Sequence, residues 1–432
     1  MVQLPADFVA ETRRIMGDER YNRFVEAFDN EAPVSIRVNP SKVSLANGER
    51  VPWCAEGYYL NDRPQFTFDP LLHAGCYYVQ EASSMFVTHI LRTVDSSSPN
   101  YQLALDLCAA PGGKSTALRS VLPDDCVLIS NEPMGNRAQI LLENVTKWGA
   151  PNHIVTNNYP RDFRKSKLKF DFILCDVPCS GEGMFRKDPN AISEWSAQNV
   201  EKCWQLQREI VADAWECLTP GGLLIYSTCT YNTKENEENI RWILDTYDAQ
   251  VLDIPVDPSW NITGSLLDGF NEPVYRFIPG ITRGEGLFVC ALRKISRKDE
   301  GGRSKDEGGR SKDEGGRSKD EGGRSKEISS ADIIKNKNLK VLDPGILLPP
   351  SSLLPPKVDV DYAEALKYLR GEALVLPPDT PRGIVTITYQ GQALGPAKNI
   401  GNRANNLYPK PWRIKSTHLP SEAPKVMEKI KK

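Results

Sequence analysis

The sequence of 432 residues lacks the features of a membrane protein or a secreted protein. No apolar run approaches the roughly 20 residues that a membrane-spanning helix needs. The first 14 residues include acidic side chains and no apolar signal-peptide core, so export is not expected. The ten cysteines show no paired spacing, which argues against a disulfide framework and predicts a reduced, cytoplasmic setting.

Histidine is also scarce, and the charge is nearly balanced. There are only four histidines, and no second cysteine pair accompanies Cys175 and Cys179, so no metal site is expected. A net charge of −2 is unusual for a protein that binds nucleic acid over its whole surface, although residues 402–432 are locally basic. The length predicts two or three domains.

Residues 298–325 are four tandem copies of KDEGGRS without any apolar residue. A segment that cannot bury an apolar face is expected to be disordered, and the missing apolar heptad positions exclude a coiled coil. We therefore predict a disordered linker over 296–340. It separates an N-terminal unit, 1–95, and a larger unit, 96–295, from a C-terminal module, 341–432.

Short apolar runs alternate with helical patterns in the larger unit. This alternation predicts an α/β fold, in which a doubly wound parallel sheet has helices on both faces. The predicted strands are 103–107, 127–130, 172–175, 223–227 and 287–291, and the predicted helices are 115–121, 136–148, 201–218 and 235–247. In the third helix, residues spaced by four predict one apolar face: Leu206, Ile210, Ala214 and Leu218.

The flanking units have simpler predictions. The N-terminal unit is expected to be small and mixed in structure, and the C-terminal module is expected to be β-rich, with a strand pair around a glycine turn in 383–395. Ligands of an open parallel sheet bind at the carboxyl ends of its strands. Three polar segments follow predicted strands there: 106–115 (DLCAAPGGKS), 176–183 (DVPCSGEG) and 226–232 (YSTCTYN).

The glycine-rich segment 106–115 fits one of three ligand patterns. A phosphate loop requires a glycine where Cys108 stands, and the dinucleotide pattern G-x-G-x-x-G is absent. A loop for an adenosyl cofactor remains, since small residues after a first strand let the backbone approach the ligand closely. Glu132, which follows the second strand, is then suited to bind ribose hydroxyls. A plain strand-to-helix turn is the alternative interpretation.

Cys179 and Cys229 both follow predicted strands, and three interpretations apply to them. Free cysteine is most often a small buried apolar residue, and Cys175 within its strand is expected to be one. Zinc binding is the second interpretation, but the sequence offers no second cysteine pair and only four histidines as further ligands. A nucleophilic role is the third interpretation, because a thiolate is reactive and its pKa responds to nearby cations and helix ends.

The three polar segments resemble the motifs of the RNA cytosine-C5 methyltransferases, a family that includes bacterial 16S rRNA enzymes. Further matches are "SIRVNPSK" (35–42), "YYVQEASSM" (77–85) and "GNRANNLYPKPWRI" (401–414), which are similar to the RsmF (YebU) branch. That branch adds a PUA-like RNA-binding module after a Rossmann-like catalytic domain. The resemblance covers nearly the whole chain outside the repeats, and it implies transfer of a methyl group from S-adenosylmethionine to cytosine C5, most simply in 16S rRNA.

The resemblance also implies roles for individual residues. Cys229 would attack cytosine C6 as the nucleophile, and Cys179 would assist release of the product. Asp176 would contact the N3/N4 edge of the cytosine, and Lys114 would lie near the nucleophile and the base. DNA cytosine methyltransferases instead attack with a cysteine that follows proline, as Cys179 does, so the two roles depend on the resemblance.

The implied cofactor site extends over several segments. Asp106 and the loop after it would surround the methionine end of the cofactor, Glu132 would hold the ribose, and Arg137 would lie nearby. The family often has an aspartate beside the adenine where this sequence has Asn157 and Asn158. The predicted cofactor-binding residues are Cys108, Ala109, Ala110, Pro111, Gly112, Gly113, Lys114, Glu132, Arg137, Asn158 and Asp176.

RNA contact is expected outside the reaction site as well. A basic run lies just before the predicted strand 172–175, either as a solvated loop or as an RNA surface: Arg161, Arg164, Lys165, Lys167 and Lys169. Trp195, Tyr231 and Trp412 could stack on bases, although aromatic residues are more often part of a core. Polar residues of the tail are candidates for RNA recognition: Arg403, Asn405, Asn406, Lys410 and Arg413.

Other functions have less support in the sequence. A catalytically silent assembly factor would not need both cysteines and Asp176, and an NTPase or oxidoreductase would need the phosphate-loop or dinucleotide patterns that fail here. A methyltransferase acting on tRNA remains an alternative substrate class. We expect a monomer without a metal ion.

Overall fold

The computed structural model describes residues 3–43, 48–94, 101–295, 329–342, 355–416, 418–424 and 426. The KDEGGRS repeats lie outside these residues, so their disorder stays a prediction. None of the described helices is both long and apolar enough to cross a membrane. The described strands form three sheets, of three, eight and four strands in chain order.

The N-terminal unit packs a small sheet against the larger unit. It contains helices α1 (Ala6–Met16), α2 (Asp18–Glu26), α3 (Pro70–His73) and α4 (Phe86–Val94) and strands β1 (Val34–Val38), β2 (Gly57–Leu60) and β3 (Tyr77–Val79). Strand β1 lies between β2 and β3, antiparallel to both. Arg37 of β1 is fully buried and donates to the Thr116 hydroxyl and the Gly113 carbonyl, which joins this sheet to the glycine-rich loop.

The eight-stranded sheet forms the centre of the larger unit. Its strands are β4 (Leu103–Asp106), β5 (Val127–Asn131), β6 (His153–Thr156), β7 (Phe170–Asp176), β8 (Leu218–Thr228), β9 (Ala249–Val251), β10 (Tyr275–Phe277) and β11 (Leu287–Lys294). Their order is β10-β11-β8-β7-β4-β5-β6, and β9 also pairs with β11. Along β7, Ile173 and Cys175 face one core cluster while Phe172 and Leu174 face another. Both faces are therefore buried, which explains the continuous apolar runs.

The predicted α/β class is confirmed, with one correction to the parallel sheet. Strands β8, β7, β4, β5 and β6 are parallel, but β11 is antiparallel to β8 and to β10. Helix α10 and strands β9 and β10 lie between β8 and β11 in the chain, and β11 follows β10, which is its antiparallel neighbour. The strand predicted over 287–291 therefore exists, but it runs in the opposite direction.

Helices cover the two faces of this sheet. They are α5 (Gly113–Arg119), α6 (Gly135–Trp148), α7 (Pro160–Ser166), α8 (Pro189–Glu194), α9 (Ala197–Cys217) and α10 (Glu237–Thr246). The predicted apolar face of α9 is only partly correct, because Leu206 is 43% exposed and Leu218 begins β8. Four residues advance a helix by 400°, so a strict spacing of four drifts by about 40° at each step and leaves the buried face.

The segment 329–342, which we name the strap, is ordered, so the prediction of a disordered linker up to residue 340 is wrong for this part. Part of it was assigned to the linker that ends at 340, yet it forms helix α11 (Ser330–Ile334) and packs on the large sheet. Ile333 and Leu339 are buried in a core cluster of that sheet, and Val341 pairs with Thr156 of β6. Unlike the repeats, this segment has apolar side chains to bury, and β6 is an open sheet edge.

The C-terminal module is β-rich, as predicted. It contains strands β12 (Lys357–Asp359), β13 (Gly383–Tyr389), β14 (Gln392–Asn399) and β15 (Ala404–Asn406), with helix α12 (Tyr362–Arg370). Gln390 and Gly391 both have positive φ and form the predicted turn between β13 and β14. The module shares one apolar core with the N-terminal sheet, since Leu366 and Ile387 cluster with Ile36 and Tyr77.

Candidate active site

The two cysteines meet at the carboxyl edge of neighbouring parallel strands. Cys179 lies in the loop after β7, Cys229 follows β8 directly, and their Sγ atoms are 3.3 Å apart. Both are free thiols, because a disulfide would require about 2.05 Å. Their loops also touch through the backbone, where the Gly183 amide donates to the Cys229 carbonyl at 2.7 Å. A Cβ at Gly183 would lie 2.4 Å from that carbonyl oxygen, so this close approach requires glycine.

An ion pair lies beside the cysteines. The Lys114 ammonium is 2.9 Å from Asp176 Oδ2, and the Ser227 hydroxyl donates to Asp176 Oδ1 at 2.7 Å. Burial alone would lower the pKa of Lys114, but the Asp176 carboxylate outweighs it and the pKa is raised. Lys114 therefore remains an ammonium ion, and the structure brings together the four residues predicted to be catalytic.

The two thiols have opposite pKa shifts. The hydrogen bond with Cys179 is the largest effect on Cys229 and lowers its pKa. The Lys114 charge acts in the same direction, whereas burial and the Asp176 carboxylate oppose it. The same hydrogen bond and burial raise the pKa of Cys179 well above its usual value. The opposite directions make Cys229, rather than Cys179, the thiol that ionises more readily.

Two buried carboxyl groups hold the cysteine loops together, and the sequence analysis missed both roles. Glu182 accepts hydrogen bonds from the backbone amides of Tyr231 and Asn232, at 2.7 and 3.0 Å. Glu235 accepts from the Ser180 amide at 3.0 Å and from the Asn232 side chain at 2.8 Å. Burial raises the pKa of Glu235 to about 7. Each carboxyl therefore ties the loop of one cysteine to the loop of the other.

A sequence signal for these carboxyls existed. Glu182 lies between two glycines shortly after Cys179, and Glu235 follows Cys229 in an otherwise small and polar segment. Glu235 precedes helix α10 and is fully buried. Glu237 is also buried, in an ion pair with Arg276.

The glycine-rich loop presents an unpaired carboxylate oxygen at the end of β4. Asp106 is fully buried, and its Oδ2 accepts from the Ser115 hydroxyl at 2.6 Å, whereas Oδ1 has no partner. Burial raises the pKa of Asp106 to about 7. Gly112 has φ +113, a conformation that favours glycine, and it starts α5. A buried acceptor without a donor is an expected ligand contact.

The rest of the predicted cofactor loop uses its backbone to reach neighbouring segments. The Ala109 amide donates to Asn131, the Ala110 carbonyl accepts from Arg137 at 2.9 Å, and the Pro111 carbonyl accepts from Asn144. Cys108 is half-buried, and burial raises the pKa of its thiol well above the usual value. Cys108 therefore stays an uncharged thiol beside the glycine-rich loop.

Glu132 is placed at the end of β5, beside this loop. It is 2% exposed, its Oε1 accepts from the Met134 amide at 2.9 Å, and Arg137 lies 3.5 Å from Oε2. The unpaired Asp106 oxygen and the Glu132 carboxylate at adjacent strand ends fit an amino group and a ribose hydroxyl pair. The residues present thus fit an adenosyl cofactor.

Asn158 does not have the free side chain that its predicted role requires. Its Oδ1 accepts from the Lys340 amide at 2.9 Å, and its Nδ2 donates to the Lys340 carbonyl. Asn157 is also occupied, because its Nδ2 donates to the Glu132 and Pro133 carbonyls. The predicted adenine contact of Asn158 through its side chain is therefore not favoured, since the strap already uses that amide.

The basic run of 161–169 is largely paired within the protein. Arg164 lies 3.2 Å from Asp213, Lys165 lies 3.3 Å from Asp162, and Lys169 donates to the Glu216 carbonyl. Lys169 also lies just before β7, at the edge of the sheet opposite the cysteines. These contacts favour the solvated-surface interpretation over an RNA surface.

The candidate stacking residues and the tail differ in exposure. Tyr231 is a core residue that is buried against Phe24. Trp195 is partly buried, packs against the same cluster, and donates from its indole to Glu182. Trp412 is half-buried beside Tyr408. Asn406 donates to two carbonyls of its own module, and Arg413 donates to the Tyr408 carbonyl. The side chains of Arg403 and Lys410 are exposed.

Comparison with known proteins gives three family matches along the chain. Residues 96–293 match the model described as 16S rRNA methyltransferase RsmB/F. Residues 4–82 match the N-terminal domain of 16S rRNA methyltransferase RsmF, and residues 355–414 match the methyltransferase RsmF PUA domain. Three segments of the chain are thus similar to the three domains of RsmF methyltransferases. The fold is thus a Rossmann-like methyltransferase sheet with an N-terminal domain and a β-rich PUA domain.

Two individual RsmF proteins are also similar to this chain in sequence. Ribosomal RNA small subunit methyltransferase F of Serratia proteamaculans is 34% identical over 314 residues, 68% of this chain and 64% of the relative. The protein of the same name from Escherichia coli is 34% identical over 315 residues, with the same two shares. The matched part of the chain thus spans less than two thirds of the length of these relatives.

A solved structure has the same fold. It is a methyltransferase homolog protein from Pyrococcus horikoshii, 29% identical, with a TM-score of 0.58, and the match covers 68% of this chain and 96% of that one. The RsmB/F match contains both cysteines, Lys114, Asp176 and Glu132, and it ends before the strap.

Proposed function

We propose that this chain transfers a methyl group from S-adenosylmethionine to C5 of a cytosine in RNA, most simply 16S rRNA. One observation carries the proposal: two free thiols lie 3.3 Å apart at the strand ends, next to the Lys114–Asp176 ion pair. A lone buried cysteine would not need a second thiol, a cation and a carboxylate beside it. S-adenosylmethionine, when bound, supplies an electrophilic methyl group.

Cys229 acts first in this proposal. Cytosine C5 is a poor nucleophile until a thiolate adds to C6 and makes the C5 position enamine-like. The lowered pKa of Cys229 supplies that thiolate, and the neighbouring Lys114 charge stabilises it. Asp176, held by Ser227 and Lys114, is suited to bind the N3/N4 edge of the base and to keep the ring polarised.

Cys179 acts when the product is released. After C5 has been methylated, the C5 proton leaves to solvent, the C6–S bond breaks, and Cys229 departs as a thiolate. The Cys179 thiol, which already lies 3.3 Å from the Cys229 sulfur in the free protein, donates a hydrogen bond to that leaving sulfur. Without this donor, the Cys229 sulfur is a poorer leaving group and the covalent adduct persists.

RNA binding is assigned to surfaces beyond the thiols. The target base must be unstacked to reach Cys229, so a flipped base or an open RNA element is the expected substrate. The exposed side chains of Arg403 and Lys410 on the PUA domain are suited to phosphate contacts, which weaken as salt rises.

A denaturing-gel assay with unmethylated 16S rRNA and S-adenosylmethionine tests the proposal. We expect Cys179→Ala to accumulate an RNA adduct that survives denaturant and Cys229→Ala to form none and to lose methyl transfer. Cys203→Ala, a half-buried cysteine on α9, is the matched control and should behave as wild type. A reversed pattern would exchange the two roles.

The same assay separates the alternatives. If the protein binds rRNA but transfers no methyl group and forms no adduct, it is a silent assembly factor. If tRNA replaces rRNA as the better substrate at equal concentration, the chemistry stands but the substrate class is wrong.

A further inference from the structure

The strap reaches the part of the site where the nucleoside of an adenosyl cofactor is expected. It extends the large sheet by one antiparallel bridge at its open edge, between Val341 and Thr156 of β6. The Leu342 amide donates to the Val155 carbonyl at 2.9 Å, and the Asn157 amide donates to the Lys340 carbonyl at 2.9 Å. The strap therefore pairs with the end of β6 and with the loop that follows it.

Asn158 explains why an amide, rather than a carboxylate, occupies this loop. Its side chain accepts from the Lys340 amide and donates to the Lys340 carbonyl, as a backbone partner would. An aspartate could make only the first of these bonds and would repel the carbonyl. Asn158, one of the two asparagines at this place in the sequence, therefore binds the strap backbone with its side chain.

The contacts continue from the strap to the predicted ribose site. Lys340 Nζ donates to the Asn157 side chain at 2.8 Å, and Asn157 in turn donates to the Glu132 and Pro133 carbonyls. Leu342 packs against the apolar cluster that contains Ala109 and Ala110 of the glycine-rich loop. The strap thus contacts the loop after β6 directly. It reaches the segment of Glu132 through Asn157, and it contacts the glycine-rich loop through Leu342.

We propose that the strap forms the outer wall of the cofactor site at its nucleoside end, so that cofactor binding and strap docking stabilise each other. This inference rests on the proposed function, because it assumes an adenosyl ligand. Lys340 and Leu342 are positioning residues in it: they fix the segments that contact the nucleoside. If docking of the strap raises the affinity for the cofactor by some factor, bound cofactor must raise the equilibrium constant for strap docking by the same factor.

Hydrogen exchange on the full-length chain, with and without saturating S-adenosylhomocysteine, tests this coupling without any mutation. We expect the Leu342 and Asn157 amides to gain at least about fivefold in protection. The Val360 amide, bonded to Thr388 in the PUA domain, is the internal control and should not change. The Met134 amide, bonded to Glu132, reports occupancy of the site.

The outcomes are distinguishable. Protection at Met134 without any gain at Leu342 and Asn157 would overturn the strap inference while leaving the proposed function intact. If calorimetry detects no S-adenosylhomocysteine binding at all, the proposed cofactor is wrong, and the inference falls with it.

A matched pair of variants measures the same coupling as an affinity. Ile333 is fully buried against the sheet, whereas its neighbour Ile334 on α11 is 62% exposed. We expect Ile333→Ala to weaken S-adenosylhomocysteine binding roughly tenfold and Ile334→Ala to change it less than about twofold. Methylthioadenosine, which keeps the nucleoside but lacks the amino-acid end, should lose the same factor. Equal affinities for the two variants would contradict the inference.

Two further substitutions keep the test informative if Ile333→Ala does not fold. Leu342→Ala removes the contact with the glycine-rich loop and should weaken binding in the same direction. Asn158→Asp removes only the donor to the Lys340 carbonyl. The strap inference predicts weaker nucleoside binding for it, whereas a direct adenine contact by residue 158 predicts unchanged or stronger binding.

Discussion

The candidate site has two ends that differ in how completely their polar groups are paired. At the cysteine end, the loops after β7 and β8, both carboxyl oxygens of Glu182 and of Glu235 accept hydrogen bonds from the protein. At the cofactor end, the loop after β4 and the segments around Glu132 and Asn158, Asp106 keeps a buried oxygen without a partner. The first end is complete in the free protein, and the second is complete only with a ligand.

The difference has a physical reason. A thiol pair must hold its geometry and its proton before the base arrives, because electrostatic stabilisation contributes most when it needs no rearrangement. A cofactor that enters and leaves must instead find acceptors that are still free. We therefore expect substitutions at the cysteine end to affect reactivity and stability, and substitutions at the cofactor end to affect affinity.

Lys114 lies between the two ends, and its replacement should have the largest effect. Lys114→Met removes the cation beside Cys229, so the pKa of Cys229 should rise, and methyl transfer at neutral pH should fall by roughly a thousandfold. The measurements are kcat and the pH dependence of Cys229 alkylation. Lys147→Met is the control, since Lys147 also forms a mostly buried ion pair, with Glu143 on the same helix α6. If alkylation shifts equally in both variants, Lys114 does not control Cys229.

Glu182 should show the next largest effect, on stability. Glu182→Ala leaves the Tyr231 and Asn232 amides without their acceptor in a buried loop, and we expect a loss of about 3–4 kcal/mol in the free energy of unfolding. Urea denaturation measures it. Glu201→Ala, which removes a partly exposed partner of Lys234, should cost less than about 1 kcal/mol. Similar losses for the two variants would mean that the cysteine end is not the more rigid one.

Asp106 represents the cofactor end. Asp106→Asn removes the charge of the unpaired acceptor, so S-adenosylhomocysteine should bind about 10 to 100 times more weakly. The free energy of unfolding should not fall, because a fully buried carboxyl with a raised pKa gains nothing from being charged. Calorimetry and urea denaturation give the two numbers. Asp125→Asn, on the exposed turn before β5, should change neither.

The smallest effect concerns pH. The pKa of Glu235 is raised to about 7 in the folded state, so its contribution to stability is present at pH 4 and is lost as the pH rises through 7. Glu235→Gln should therefore flatten the decline of unfolding free energy between pH 5 and 7, by at most about 1.4 kcal/mol per pH unit. Equal slopes for wild type and variant would show that Glu235 is ionised in the fold.

Much of the fold could be predicted because it is encoded locally. The strands β4, β5, β7, β8 and β11 each contain an unbroken apolar stretch, since both faces of the sheet are buried. The short strands β6, β9 and β10 were not among the predicted strands, and the predicted parallel direction of β11 was wrong. The direction of β11 depends on its pairing with β8 and β10 rather than on its own sequence.

The reaction site was predictable in composition but not in arrangement. Cys179, Cys229, Asp176 and Lys114 were named from motifs, and parallel strand ends explain why they meet. Glu182 and Glu235 were missed because their partners lie about 50 residues away in the chain, and nothing local indicates that a glutamate will be buried. The role assigned to Asn158 was disfavoured for the same reason, since Lys340 is 182 residues distant.

The sequence by itself determined the class of fold, the order of the strands along the chain and the residues at their ends, because periodicity and small-residue turns act over a few neighbouring positions. Only the tertiary structure decided which thiol has the lower pKa, which carboxyls are buried and where the strap docks. Those properties depend on electrostatic and hydrogen-bond partners that distant segments bring together, and a pKa or a free acceptor exists only once those partners are in place.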